Sequence, residues 1–417
     1  MTEVRVLSAP WLSSGPAARV LALLNSDGEE ARVVGGAVRN ALLGIDIGDI
    51  DIATTALPAE VIRRAKAASI KSVPTGIDHG TVTLVLEGHP FEVTTLREDT
   101  ETFGRKAKVE FGRDWIGDAH RRDFTINALS VGPDGVVHDH VGGLADIAAR
   151  RVRFIGDPAQ RIAEDYLRIL RFFRIHSAFG HGVPDRDGYL ACIAGRAGLA
   201  TLSAERVRME MLKLLVTGGA VGAVTAMTDG GLLTAILGGV AYLGPFAAMI
   251  EIERTLALPP SAVRRLAALA VAVTEDARRL GARLKLSNAE TKALDGMGHR
   301  WWRLATADEA RARRLLYRLG ETVYRDRLML GWARAGRAHD AQRWRELALL
   351  PQRFTPPKLP LKAADFIARG VAEGPLLGHV LTLAEDAWLA ADFPLDEASL
   401  SAIADQAAAR VNRDGRI

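Results

Sequence analysis

Cysteine is nearly absent: Cys192 is the single one among 417 residues. One thiol can form no internal disulfide and cannot supply a cysteine-based zinc site, which points to a chain built for a reducing cytoplasm. The opening MTEVRVLSAPWLSSGP has no apolar core behind a basic segment, so no secretory signal is expected. Fixed-period repeats and low-complexity tracts are also missing. Charge is lacking over residues 230–250, which approach membrane-spanning length. That run carries five glycines and Pro245, a composition that suits helix–turn–helix packing better than a span.

What is present is ordinary for a folded protein of several domains: 48% hydrophobic and 25% charged residues. The net charge is +4, and arginine is concentrated over residues 299–345. Such a run serves either as the solvated side of amphipathic helices or as a grip on a polyanion such as RNA.

Strand and helix signals alternate in the first third. Residues 32–35 read as a strand, 36–43 as a helix, 49–53 (DIDIA) as a half-buried strand and 58–68 as a helix opened by Pro58. TVTLVL (81–86) and FEVTT (91–95) form a hairpin pattern. From residue 157 onward only helical periodicity remains, over 157–179, 203–216, 261–280, 288–305, 307–319 and 365–408, with a proline-rich linker at 351–360. The fold class is α+β: a small mixed sheet with helices, then an all-helical remainder.

The chemistry concentrates in GGAVRNALLGIDIGDIDIATT, residues 35–55. Gly35 and Gly36 lie between a strand and a helix, where backbone N–H groups can approach a triphosphate, and Arg39 sits one turn further on. Asp49 and Asp51 are two apart on the predicted strand, hence on one face. Adjacent carboxylates repel unless a cation lies between them, and a pair of Mg²⁺ ions held by oxygen ligands is the natural solution. An isolated D-x-D is otherwise a solvent-facing strand edge or a turn. The combination with the glycine pair and helix is more specific.

This segment resembles the signature of class II tRNA nucleotidyltransferases and bacterial poly(A) polymerases. The resemblance implies a polymerase-beta-like nucleotidyltransferase head over residues 1–150, a helical neck over 151–217, a helical body over 218–350 and an RNA-binding helical tail over 351–417. It assigns Asp49 and Asp51 to Mg²⁺ and catalysis, and Gly35, Gly36 and Arg39 to the incoming nucleotide. Asn40 stands where the family often has Asp. Glu92, on a strand expected to neighbour Asp51, is either a third carboxylate or a partner that orients Arg97 or a backbone group. Residues 99–114 correspond to the family's flexible loop beside the active site.

RRDFTINAL (121–129) resembles the second nucleotide-contacting motif, with Arg122, Asp123 and Asn127 at helical spacing. DPAQRIAEDYLRILRFFRIHSAFG (157–180) carries the family's E-D-x-x-R pattern as Glu164, Asp165 and Arg168, flanked by Arg171 and, toward the other edge, Arg174. Asp165 and Arg168 are three apart, which on a continuous helix makes either a surface ion pair or a protein template for a base. Cytosine and adenine each present an amino donor beside a ring-nitrogen acceptor, whereas uracil and guanine present the reverse order. An aspartate acceptor beside an arginine donor therefore selects CTP and ATP. AERVRMEMLKLL (204–215) resembles the next motif, in which Glu205, Arg206 and Arg208 are expected to form structural ion pairs.

The activity implied is CCA addition to the tRNA 3′ end from CTP and ATP. Poly(A) synthesis, C-only or A-only addition, and a non-catalytic RNA-binding protein on the same scaffold stay open, although PTGIDHGTVTLVLEG (74–88) lacks the GRRF-like stretch associated with poly(A) polymerases. His339-Asp340 is an isolated pair, so no phosphohydrolase activity is expected. No membrane contact and no obligate protein partner are implied.

Overall fold

The computed structural model describes the backbone of residues 5–77, 80–103, 106–336 and 340–414, and the side chains of these residues except 98–110 and 414. The side chains of most of the expected loop 99–114, and His339 of the isolated pair, lie outside the described residues. The chain divides into two compact units, Met1–Ala241 and Tyr242–Ile417.

The first unit holds all the strands found among the described residues: β1 (Ala31–Val34), β2 (Ile50–Thr54), β3 (Lys71–Gly76), β4 (Thr81–Leu86), β5 (His89–Thr95), β6 (Arg97–Phe103), β7 (Lys106–Phe111), β8 (Ser130–Val131) and β9 (Val137–His138). Seven make one mixed sheet in the order β3-β4-β5-β2-β1-β8-β9, and β6 with β7 makes a separate antiparallel ribbon. The expected hairpin is β4–β5, closed by Glu87 and Gly88 with φ of 53° and 80°, the left-handed pair that a two-residue turn requires. Alternation along β2 turns Ile52 into the core, only 1% exposed, and Asp51 outward. Helices Gly15–Leu24 and Pro58–Ala67 bury Val20, Leu21, Leu24, Val61 and Ala65.

Two sequence expectations for this unit fail in an informative way. Residues 157–179 are not one helix. They form Pro158–Glu164 and Leu167–Phe179, interrupted at Asp165, whose backbone is extended (φ −155°, ψ 106°). The Asp165 carboxylate accepts the free N–H of Leu167 at 3.1 Å, so the side chain replaces a helical turn with a local cap. Residues 121–129 do not form one helix either. The helix Trp115–Arg121 ends before Arg122 (ψ 165°), and Thr125–Asn127 form a single 3₁₀ turn.

The regular elements among the described residues of the second unit are all helices, joined by non-helical segments such as 354–362. The run expected over 261–280 is two helices, Ala262–Ala270 and Thr274–Leu284, because the Asp276 carboxylate accepts the N–H groups of Ala272 and Val273 and caps the second. Gly320 (φ 71°, ψ 165°) kinks Glu309–Ala335. Tyr324 and Trp344 centre one core cluster, and Trp388 with Val380 and Phe393 another. Residues 230–250 fall in helices Leu232–Leu237 and Leu243–Thr255, as their glycines implied, and no described helix is long and apolar enough to cross a membrane.

Candidate active site

A cavity of about 570 Å³ opens beside the sheet of the first unit, and every nucleotide-binding residue expected from the sequence lines it: Gly35, Gly36, Arg39, Arg122, Asp123, Asn127, Asp165, Arg168, Arg171 and Arg174. Asp51 lines it as well.

The glycine end is built by β1 and the helix Gly36–Leu43. Gly35 carries φ 73° and ψ −124°, a conformation closed to residues with a Cβ, and a Cβ there would lie 3.3 Å from Nη1 of Arg122. Arg122 is held by Asp118 at 3.0 Å. Burial pushes the Asp118 carboxyl up, but the charges and hydrogen bonds of Arg122 and Arg121 bring it below the usual range, so it stays ionised and keeps Arg122 in place. Arg39 lies over the ring of Phe179, 3.6 Å from its centroid, and donates to Asn127 and to Asn40 Oδ1 at 2.9 Å. Burial first, and then the charge of Arg174, pull the Arg39 guanidinium down to about 10, which leaves it cationic at neutral pH. Asn40 also donates to the Asp46 carbonyl at 3.0 Å, so this amide braces Arg39 against the following loop.

Asp49 and Asp51 flank the start of β2. Asp51 is on β2, while Asp49 lies one residue before the strand and lines a smaller hollow of about 240 Å³ with Trp11 and His89. The ladder begins at Ile50, so Asp49 immediately precedes the strand on which both were expected, and its charge still acts on Asp51. Glu92 stands directly beside Asp51 in the parallel β2–β5 register. The Asp51 carboxyl is raised above its ordinary value by burial, then by Glu92 and Asp49, with Arg122 opposing. Among the described residues no group of three His, Cys, Asp or Glu side chains is gathered to hold a metal ion. Mg²⁺ commonly takes one or two protein carboxylates and completes its shell with phosphate oxygens and water. A carboxylate pair whose charge is unfavourable without a cation fits that need.

The base end is assembled differently from the expected side-by-side pair. Because Asp165 sits in the break, its carboxylate meets Arg206 of the helix Ala204–Leu215, with Nη2 at 2.6 Å from Oδ2. Burial alone would raise the Asp165 carboxyl. The hydrogen bonds from Arg206 and the Leu167 N–H outweigh it and set it below the usual range. Arg168 pairs with Glu164 and donates to the Arg161 carbonyl at 2.6 Å. Arg171 is fixed by Asp123 at 2.6 Å, and Asp123 also accepts the N–H of Phe124 at 3.0 Å. Burial opposes the Arg171 charge, but Asp123 more than compensates. Arg174, the outlying member on a helical wheel, reaches the cavity and pairs with Glu210.

The sequence reading missed Arg121, Phe179, Lys213 and Thr217 as lining residues, and it gave Arg206 only a structural part. Arg206, Glu210 and Lys213 recur at i, i+4 and i+7, a stripe that signals one helix face turned toward a common site.

A family model described as "Poly A polymerase head domain" matches residues 31–153, and one described as "Probable RNA and SrmB- binding site of polymerase A" matches residues 191–243. The CCA-adding enzyme of Limosilactobacillus fermentum is 33% identical over 379 residues, covering 88% of this chain and 90% of the relative. The mitochondrial CCA tRNA nucleotidyltransferase 1 of Homo sapiens is 45% identical over 197 residues, 46% of this chain and 45% of that protein. The match thus spans about half the length of the mammalian relative. The crystal structure of the Bacillus stearothermophilus CCA-adding enzyme in complex with CTP superposes with a TM-score of 0.74 at 26% identity, covering 96% of this chain and 98% of that one. The Thermotoga maritima CCA-adding enzyme complexed with tRNA, 19% identical with a TM-score of 0.69, covers 97% of this chain and 99% of its own and shares the fold. With its head matched, and with a relative aligned across nearly its whole length, the chain belongs to the CCA-adding enzyme family, built on the poly(A) polymerase head domain.

Proposed function

We propose that the protein adds CCA to the 3′ end of tRNA from CTP and ATP without a nucleic-acid template. The observation that carries this reading is one cavity holding both a glycine-and-arginine phosphate cradle and an anchored Asp165 beside Arg168.

The triphosphate lies against the Gly35–Gly36 turn, with Arg39 and Arg122 as charged donors. Asp123 fixes Arg171, and Asn127 fixes Arg39, so the two cations are oriented before a nucleotide arrives. Asp165, tethered by Arg206, keeps carboxylate lone pairs for the exocyclic amine of cytosine or adenine, and Arg168 supplies the N–H for the ring nitrogen. Uracil and guanine would leave both groups unpaired. Asp49 and Asp51 are the residues to hold Mg²⁺, which when bound lowers the pKa of the attacking hydroxyl and neutralises charge on the leaving pyrophosphate. The tRNA 3′-oxygen bonds to the α-phosphorus, the bond from that phosphorus to the bridging oxygen breaks, and pyrophosphate departs. Glu92 contributes negative charge beside Asp51 and is not assigned as a ligand.

The division into head 1–150, neck 151–217, body 218–350 and tail 351–417 stays part of this proposal. So does a cytoplasmic setting, which the lone buried Cys192 supports.

The test supplies a tRNA transcript lacking CCA with Mg²⁺ and each nucleotide singly and together, read at single-nucleotide resolution. Two C additions followed by one A support the proposal. A long A tail would make the protein a poly(A) polymerase, C or A alone a split-specificity enzyme, and no incorporation on any RNA a binding protein on this scaffold.

A further inference from the structure

The second unit contains a cavity of about 580 Å³ lined by six arginines and one acid among apolar side chains. Arg311 and Arg314, three apart on the helix Glu309–Ala335, face into it together with Arg300 and Arg303 around the 3₁₀ turn Trp301–Leu304. None of these four has an ion-pair partner among the described residues. The single acid on the wall, Asp386, is already taken by Arg318. Four guanidinium groups around one concavity repel one another, and the sites that use this arrangement bind oxyanions through paired N–H donors. Part of the lining is apolar, with Leu315 and Leu389, so the hollow is a formed pocket and not only a basic surface.

Elsewhere in the same unit several arginines are neutralised: Arg264 and Arg265 share Glu253, and Arg313 meets Glu309 and Asp392. Some other arginines without an ion pair spend their N–H groups on backbone carbonyls, as Arg334 and Arg343 do, whereas Arg300, Arg303, Arg311 and Arg314 gather around one hollow. We infer that it is a second phosphoryl-binding site, distinct from the nucleotide cavity and taking a phosphate diester of RNA or a free polyphosphate such as pyrophosphate. The RNA source rests on the proposed function; the free-anion source does not.

The test uses the full chain and the double variant Arg311→Gln/Arg314→Gln, with Arg254→Gln/Arg278→Gln as a control that removes two exposed charges outside the pocket. Pyrophosphate is titrated calorimetrically, and a tRNA transcript lacking CCA is titrated over a series of salt concentrations. Loss of one bound pyrophosphate equivalent in the pocket variant alone identifies a free-polyphosphate site. An unchanged pyrophosphate stoichiometry with RNA affinity down about tenfold, and a log–log salt slope reduced by about one to two, identifies the RNA backbone as the source. Arg311→Lys/Arg314→Lys, which keeps the charge, should recover part of either loss and shows that the fold is not the cause. Equal effects in the control pair, or no effect on either probe, overturn the inference. Nucleotide addition is measured alongside, so failure here is separable from failure of the proposed activity.

Discussion

Nη2 of Arg206 lies 2.6 Å from Oδ2 of Asp165, across 41 residues of sequence, and ties the helix Ala204–Leu215 to the break that precedes Leu167–Phe179. About a third of each side chain remains exposed, so the pair contributes under about 1 kcal/mol to stability. Its effect on base choice is larger, because it fixes the direction of the acceptor that reads the amino group.

Arg206→Ala should therefore lower the melting temperature little while cutting kcat/KM for CTP and ATP about tenfold or more, with relatively greater UTP incorporation. The pH dependence of stability gives a second check. Asp165 is held below its unfolded value, so its contribution is complete above about pH 5 and is lost as pH falls through the folded value. The stability gap between wild type and Arg206→Ala should shrink below about pH 4. Unchanged discrimination against UTP would show that Arg206 does not position the reader.

Gly35→Ala should fail for a backbone reason. With φ 73° and ψ −124° the position lies outside even the left-handed region that Asn tolerates, at a cost of roughly 1–3 kcal/mol, and the added Cβ presses on Arg122. The expected result is a lower melting temperature and a KM for CTP and ATP raised about tenfold. Gly35→Asn should be no better. At Gly44 (φ 66°, ψ 31°), with open space around its Cβ position, Asn should be close to neutral. Thermal melts and nucleotide KM values for the three variants decide it.

The contrast between Gly44 and Asp165 also marks what was legible in the sequence. The helix Gly36–Leu43 was read to the residue because glycines bound it at both ends, and β4–β5 because Glu87-Gly88 signals its own turn. Local chemistry fixes such elements. The break at Asp165 was illegible because its cause includes a side chain 41 residues away, and the pairing of Arg174 with Glu210, 36 residues apart, was equally hidden. The residues of the site were identifiable by motif. Their pairings, which decide who holds whom, arise only when two helices meet.

Asp51→Asn separates stability from catalysis. The Asp51 carboxyl is raised in the fold, so its contribution to stability is present below the unfolded pKa and lost as pH rises through the folded one. At pH 7 without divalent cation the amide should therefore melt at the same temperature as wild type or slightly above it. Activity should fall at least about a hundredfold. Added Mg²⁺ should stabilise wild type and leave Asp51→Asn largely unmoved, and chelation should abolish the difference. Cation stabilisation of equal size in both proteins would remove Asp51 from the metal assignment.

Lys213 tests which way a nucleotide lies. The cavity follows the helix Leu167–Phe179 from Arg168 to Phe179, roughly 16 Å at helical rise, with Asp165 at one end and Phe179, under Arg39, at the other. Lys213, an exposed cation with no ion-pair partner among the described residues, stands seven residues after Arg206 on the same stripe and so at the phosphate end. Lys213→Ala should raise KM for CTP and ATP alike, by about three- to tenfold, and weaken inhibition by pyrophosphate. Lys213→Arg should restore both. Selection of C and A over U and G should not change, since that choice is made two helical turns away. If Lys213→Ala instead relaxed base selection and left the pyrophosphate inhibition constant intact, the nucleotide would lie in the opposite direction, and Asp165 could not be the residue that reads the base.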